Sequence, residues 1–397
     1  LFQALLQWVR ARSTRMSSAS YVAVHRLAGA PRLTMLLFAA ASVALGIFVH
    51  AQTIVRSLET TVDAKAELFV GSDVQAVIRP DYAAPEDFEF PATVVTRFLE
   101  AGTIGSGTEV DLLAIDPRTF PSTAYWHEDF GAASLQELMD RLARGGDTGL
   151  PAIVAGASQT PSTTYDYLGT QVPIDFVAET SAFPGMASKR PLLVVDRDRL
   201  AASFEGIGQG PQEDALASTE LWVRGDTARV VGALTTLEDP PYSTVTAEEV
   251  KDVPSIAAVI DTFGVLNVLG LGAGLLVVVV ILMYLQARQR GRIVSYALSR
   301  RMGLTDAGHR GALVAELVVL LVAAYAVGAV LALAAARLIV GMVDPLAAIP
   351  PSPLFTFPAR LVLWALFALM AIAIAGGITT NARARRADFA EVMRLAD

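Results

Sequence analysis

TFGVLNVLGLGAGLLVVVVILMYLQA, residues 262–287, carries no charged side chain over 26 positions. A helix rises about 1.5 Å per residue, so this run is long enough to cross the ~30 Å hydrocarbon core of a bilayer. RQRGRIVSYALSRRMGLTDAGHRGALVAE, residues 288–316, follows at once and brings Arg288, Arg290, Arg292, Arg300, Arg301 and Arg310. Arginine this dense beside a membrane span marks the cytoplasmic side. Between the arginines, Ile293, Tyr296, Ala297, Leu298, Met302 and Leu304 make an amphipathic stretch, broken by Gly303 and closed by a turn at Asp306. A short helix pinned there between two spans is placed to pass force to a soluble partner.

The rest of the chain fits that frame. Of 397 residues, 53% are hydrophobic and 18% charged, too apolar for an ordinary soluble protein of this size. Residues 57–254 hold 32 acidic against 13 basic side chains, a net of −19, while the remainder nets +11, which together give the overall −8. All 18 basic residues of that remainder are arginine, gathered at the ends of apolar runs. The one large polar region is acidic and would repel phosphate, which argues against nucleic acid as a partner and leaves the bilayer as the surface the arginines face.

Residues 1–32 read as a cytoplasmic or interfacial amphipathic elbow, beginning LFQALLQWV and ending at Pro31-Arg32. The leucine at position 1 suggests a fragment or a processed product. Residues 33–56 are the first span, with Ala39, Ala40, Ala41, Ala44 and Gly46 permitting close helix packing and His50 near the far end. Residues 57–254 form an α+β domain, with strands expected at 74–79, 109–115, 152–155, 170–176, 192–195 and 220–224 and helices at 93–99, 135–143 and 227–237. Residues 255–287 are the second span, 288–316 the arginine loop, 317–336 the third span, and 337–360 a short proline-rich outer loop. Residues 361–382 are the fourth span, and 383–397 a tail with Arg383, Arg385, Arg386 and Arg394. An arginine forced to mid-bilayer costs about 2.5–3.5 kcal/mol, so the arginines fix the topology: both termini cytoplasmic, the α+β domain extracytoplasmic, and a multi-pass protein of the cell membrane.

Catalytic constellations are missing from this sequence. With no cysteine and no HExxH, thiolate and zincin metal sites are excluded. No GxxxxGK[ST] occurs, so the chain does not itself hydrolyse ATP through a P-loop, and no GxSxG or pair of catalytic carboxylates stands out. GLGAG at 270–274 lies inside a span, where helix packing explains it better than a nucleotide fingerprint does. Trp126-His127-Glu128-Asp129 reads as an exposed polar loop before a metal site. Glu316 opens the third span, suited to capping it or pairing with an arginine such as Arg310.

At the arginine loop the sequence resembles the FtsX/MacB-type permease family of ABC transporters. The resemblance rests on the basic run 288–292, the short helix 294–302, Gly303 and Glu316. It extends to His25-Arg26-Leu27 with Pro31-Arg32, to Val70-Gly71-Ser72-Asp73, and to the closing segment 386–394. Ser295 stands where many members have a glutamate, eight residues before Gly303, which implies a weaker or differently arranged ATPase contact. Residues 111–142 look most like long two-copy members, of which this chain would be the C-terminal half. The resemblance implies a permease subunit that is not an enzyme and holds no cofactor, ATP and Mg being bound by a cytoplasmic ABC ATPase dimer. It further implies a second permease half, whether a homodimer copy or an upstream repeat, and mechanotransmission from ATPase to outer domain for export or extraction of a lipid, lipoprotein or peptide. Regulation of an extracytoplasmic cell-wall hydrolase, with no transported substrate, is the alternative. On this reading Leu298, Arg301, Met302, Gly303 and Leu304 are the ATPase-coupling patch, supported by Glu316 and Arg310.

Overall fold

The computed structural model describes residues 31–386 except 81, 83–87, 106, 146–148, 158–162, 205–216, 288–304 and 345. The chain divides into two units. One holds residues up to Ser57 together with Thr262–Met342 and the chain from Phe355 onward; the other holds Leu58–Asp261 and Val343–Leu354.

The first unit is helical. Helix α1 (Pro31–Val70) contributes its part up to Ser57, α7 (Pro254–Ala287) its part from Thr262, and α8 (Asp306–Val340) and α9 (Ala359–Arg386) supply the rest. All four are long and apolar enough to cross a membrane, the mark of a multi-pass membrane protein. Leu37, Ala41, Leu45 and Val49 recur one helical turn apart on α1 and meet Val277, Ile281, Leu317, Leu320, Leu321, Leu369 and Ala373 in a shared core. Leu269, Leu276, Leu282, Leu331 and Trp364 stay exposed, an apolar surface that suits lipid and not water. Close approach of α1 and α8 depends on Gly46 and Gly328: a Cβ on Gly328 would lie 2.4 Å from the Ser42 carbonyl oxygen. Packing likewise explains Gly270, which abuts Ala51 and Gln52, and Gly274, which abuts Phe48. Gln52 donates to Asn267 at 2.7 Å, and the His50 ring lies 3.3 Å from the Ala332 carbonyl, so polar pairs tie α1 to both α7 and α8.

The second unit is a mixed sheet with helices. Its strands are β1 (Val74–Val77), β2 (Ala92–Phe98), β3 (Thr103–Ile104), β4 (Thr108–Glu109), β5 (Asp111–Ile115), β6 (Leu150–Ala155), β7 (Thr164–Tyr167), β8 (Thr170–Thr180), β9 (Leu192–Asp196), β10 (Ala217–Val223) and β11 (Ser243–Thr246). They lie in the order β11-β1-β10-β2-β5-β9-β6-β8-β7-β3-β4. The pairs β5–β9 and β6–β8 are parallel and the other pairs antiparallel. The helices are α2 (Phe120–Thr123), α3 (Leu135–Arg144), α4 (Arg197–Phe204), α5 (Thr227–Thr235) and α6 (Ala247–Lys251).

The central strands are buried on both faces, as their unbroken apolar runs require. Leu113, Ile115, Ile153 and Val194 face Leu138, Met139 and Leu142 of α3, while Leu112, Ala114, Leu193 and Val195 share a second core with Leu200 and Phe204 of α4. Helix α3 shows why it forms where it does. Ser134 caps it by accepting from the Glu137 amide, and Leu135, Leu138, Met139 and Leu142 line one stripe.

Three expectations are corrected. Residues 93–99 are not a helix: 93–98 lie in strand β2, where β-branched Thr93, Val94, Val95 and Thr96 alternate between faces and pair with β10, while Thr96, Arg97 and Phe98 also pair with β5. The helix of the first span does not stop near residue 56 but continues to Val70, because Leu58, Val62 and Ala66 bury a further apolar stripe and Leu68 is buried on another face. The connection expected as a short proline-rich loop over 337–360 is helical to Val340, and its residues 343–354 belong to the sheet unit.

Candidate functional site

The patch Leu298, Arg301, Met302, Gly303 and Leu304 lies outside the described residues; the helices on either side of it are described. Helix α7 is described as far as Ala287, and α8 is capped by Thr305, whose hydroxyl accepts from the Gly308 amide at 3.2 Å. Arg310 is exposed in the following turn. Glu316 is not at the cap: it sits ten residues into α8, 1% exposed, and accepts a 2.6 Å hydrogen bond from the Tyr284 hydroxyl of α7. That length suits a hydroxyl donating to a carboxylate. The two helices that bracket the arginine-rich segment are therefore clasped by a buried polar pair, with Tyr284 four residues before Arg288. Helix α9 closes on the same place. Gly376 packs against Leu285 and Leu317, and a Cβ on Gly377 would come within 2.5 Å of Val314. A buried carboxylate inside an apolar helix is costly and is kept where it holds or moves something. Sequence reading singled out Glu316 but missed Tyr284, which an apolar run conceals.

A second joint lies in the sheet unit, where α1 ends. Gly71 has φ +88° and its amide closes on Glu67 O at 2.7 Å, while a Cβ there would stand 2.1 Å from the Trp222 ring. Glycine alone permits this left-handed exit pressed against an indole. The Ser72 hydroxyl reaches the carbonyls of Thr123 and Val223 at 2.8 and 2.9 Å, and Asp73 accepts from the Gly225 amide at 2.8 Å. Arg97 on β2 donates to the Phe69 carbonyl in the last turn of α1 and to Glu220 on β10, each at 3.2 Å. Glu220 also accepts from the Trp222 indole at 2.8 Å. The Arg97 guanidinium stands 5.9 Å from both the Phe69 and the Trp222 ring centroids. A cation at a helix C-terminus, stacked on aromatics and paired with a buried carboxylate, fixes that helix end to the sheet. The motif Val70-Gly71-Ser72-Asp73 was visible in the sequence; its partners, up to 152 residues away, were not.

Charged groups nearby serve the same attachment. Burial works against the Lys251 charge, but hydrogen bonds to Glu248 and Asp63 outweigh it and hold the ammonium above its usual range. Burial pushes the Tyr125 phenol well up, and the neighbouring Glu67 carboxylate adds to the shift. At the carboxyl ends of the parallel strands β5 and β9 a cavity of about 160 Å³ is lined by Asp116, Arg118, Asp196, Arg197 and Asp198. Its carboxylates are engaged: Asp116 by Arg118, and Asp196 by the amides of Asp198 and Arg199. Burial raises the Asp116 pKa, yet the Arg118 side chain and amide together hold it below the usual carboxylate range. His127 spends Nδ1 on the Asp129 amide at 3.3 Å, and no metal-binding cluster occurs among the described residues. Compared with models of known protein families and with curated proteins, the chain matches none.

Proposed function

We propose that this chain is the membrane subunit of an FtsX/MacB-type ABC transporter, a permease that turns the work of a separate cytoplasmic ATPase into movement of an outer domain. The observation that carries the reading is the order of parts: an apolar helix, a mixed-sheet unit, a second apolar helix, an arginine-dense loop, then two more apolar helices. Helix α1 supports it further. At 40 residues it is about 60 Å long, twice the hydrocarbon thickness, and it belongs to both units. A helix that crosses lipid and then ends bolted to a sheet by Arg97, Gly71 and Ser72 is suited to moving that sheet. On this reading the arginine loop faces the cytoplasm and docks on the ATPase through Leu298, Arg301, Met302, Gly303 and Leu304. The Tyr284–Glu316 clasp makes α7 and α8 respond together, and the acidic sheet domain lies outside, where it extrudes or hands on a lipid, lipoprotein or peptide. The test is Met302→Asp with Leu304→Asp in the full chain reconstituted with its ATPase. The reading expects normal insertion with loss of stimulated ATP hydrolysis; a double variant that stimulates normally removes this patch as the contact.

A further inference from the structure

Residues 343–354 connect α8 to α9, yet they belong with the sheet unit. What holds them there is Lys65 of α1, a side chain 1% exposed. Its ammonium pairs with the Asp344 carboxylate at 3.0 Å, donates to the Leu346 carbonyl at 2.9 Å and donates to the Ile349 carbonyl. An ammonium has three protons to give and accepts nothing, so this one short stretch of chain takes its full capacity. The stretch is shaped to receive it. Asp344 accepts from the Leu346 amide at 3.1 Å, and the Ile349 amide closes on the Leu346 carbonyl at 3.0 Å, turning both carbonyls toward the lysine. One helical turn before Lys65, on the same face of α1, the Thr61 hydroxyl accepts from the Leu354 amide at 2.9 Å.

A methionine at position 65 would fill similar space without the cost of burying a charge, so stability alone is a poor reason for the lysine. What the lysine adds is direction. It specifies where a segment some 280 residues away must sit. We infer that residues 343–354 are a strap, fastened by Lys65 and Thr61 to the part of α1 that lies in the sheet unit, and that this fastening couples α8 and α9 to the sheet unit independently of the spanning part of α1. The inference needs the spans to move; it does not need an ATPase to be what moves them.

Hydrogen exchange followed by mass spectrometry on the full chain in lipid nanodiscs reads the fastening directly, because the amides of Leu346, Ile349 and Leu354 all lie in the strap. In Lys65→Met the strap is expected to exchange at least tenfold faster than in wild type, while β5 and β9 keep wild-type protection. Asp344→Asn, which leaves both carbonyl acceptors in place, gives a smaller acceleration confined to the strap and serves if Lys65→Met does not fold. Thr61→Val accelerates the Leu354 amide and leaves Leu346 and Ile349 unchanged. A strap that exchanges at the wild-type rate in both position-65 and position-344 variants overturns the inference. So does equal acceleration of β5 and β9, which would make Lys65 a support of the whole sheet.

Discussion

Replacing Arg97 with methionine tests the joint between α1 and the sheet. The guanidinium side chain is 7% exposed and its partner Glu220 3%, so the substitution leaves a buried carboxylate with the Trp222 indole as its remaining donor. It also strips the Phe69 carbonyl of its donor and removes a cation from two aromatic rings. Breaking one side of a buried ion pair costs about 3–5 kcal/mol. For a domain of roughly 150–250 residues each kcal/mol lowers Tm by about 2–4 °C, so the midpoint should fall by roughly 6–20 °C. Thermal unfolding of the full chain in detergent, followed by tryptophan fluorescence, measures this. The double variant Arg97→Met with Glu220→Leu replaces the pair by apolar side chains and should regain most of the loss, because no charge is then stranded. A single variant that loses less than about 1 kcal/mol, or a double variant no better than the single, would refute the claim that this pair is desolvated and fastens the helix end.

Gly71→Ala should destabilise the chain by more than the ~1–2 kcal/mol of a left-handed alanine, since the new methyl also meets the Trp222 ring; the same melting experiment checks it. Tyr284→Phe should cost about 1.5–3 kcal/mol by removing a hydrogen bond to a carboxylate, and the loss should vanish in a Glu316→Leu background, as a double-mutant cycle will show. Asp116 has a folded-state pKa below its unfolded value, so its stabilisation is present above the unfolded pKa and is lost as pH falls through the folded one. Asp116→Asn should therefore be less stable than wild type near neutral pH and equal to it in strong acid. Its partner Arg118 is exposed, so solvent screening keeps the difference small, read from denaturant titrations across pH.

The four apolar helices were legible in the sequence because charge-free runs and clustered arginines are local signals. The central strands were legible for a similar reason: runs such as Leu192–Asp196 have no polar face to offer water. What escaped is what long-range pairing decides. Residues 93–99 read as a helix although Thr93, Val94, Val95 and Thr96 are β-branched, and the pairing with β10 and β5 that makes residues 93–98 a strand is not visible in the sequence. The length of α1 was hidden because Asp63, Lys65 and Glu67 interrupt its apolar pattern just where it leaves the span, although Asp63 and Lys65 find cationic and anionic partners far along the chain. Of the candidate site, Glu316 stood out as a lone acid beside an apolar run. Tyr284 did not, nor did Arg97 and Glu220, two charges on separate strands whose adjacency only the sheet creates.

The account stands on the sheet domain and the arginine loop lying on opposite sides of the membrane. The chain has no cysteine, so single cysteines report cleanly. Leu168, 81% exposed on the β7–β8 hairpin, and Arg301 in the arginine loop are the positions to replace. With a membrane-impermeant maleimide added to intact cells, Leu168→Cys should label at once and Arg301→Cys should label after lysis. Labelling of Arg301→Cys in intact cells, or protection of Leu168→Cys under the same conditions, would contradict the account.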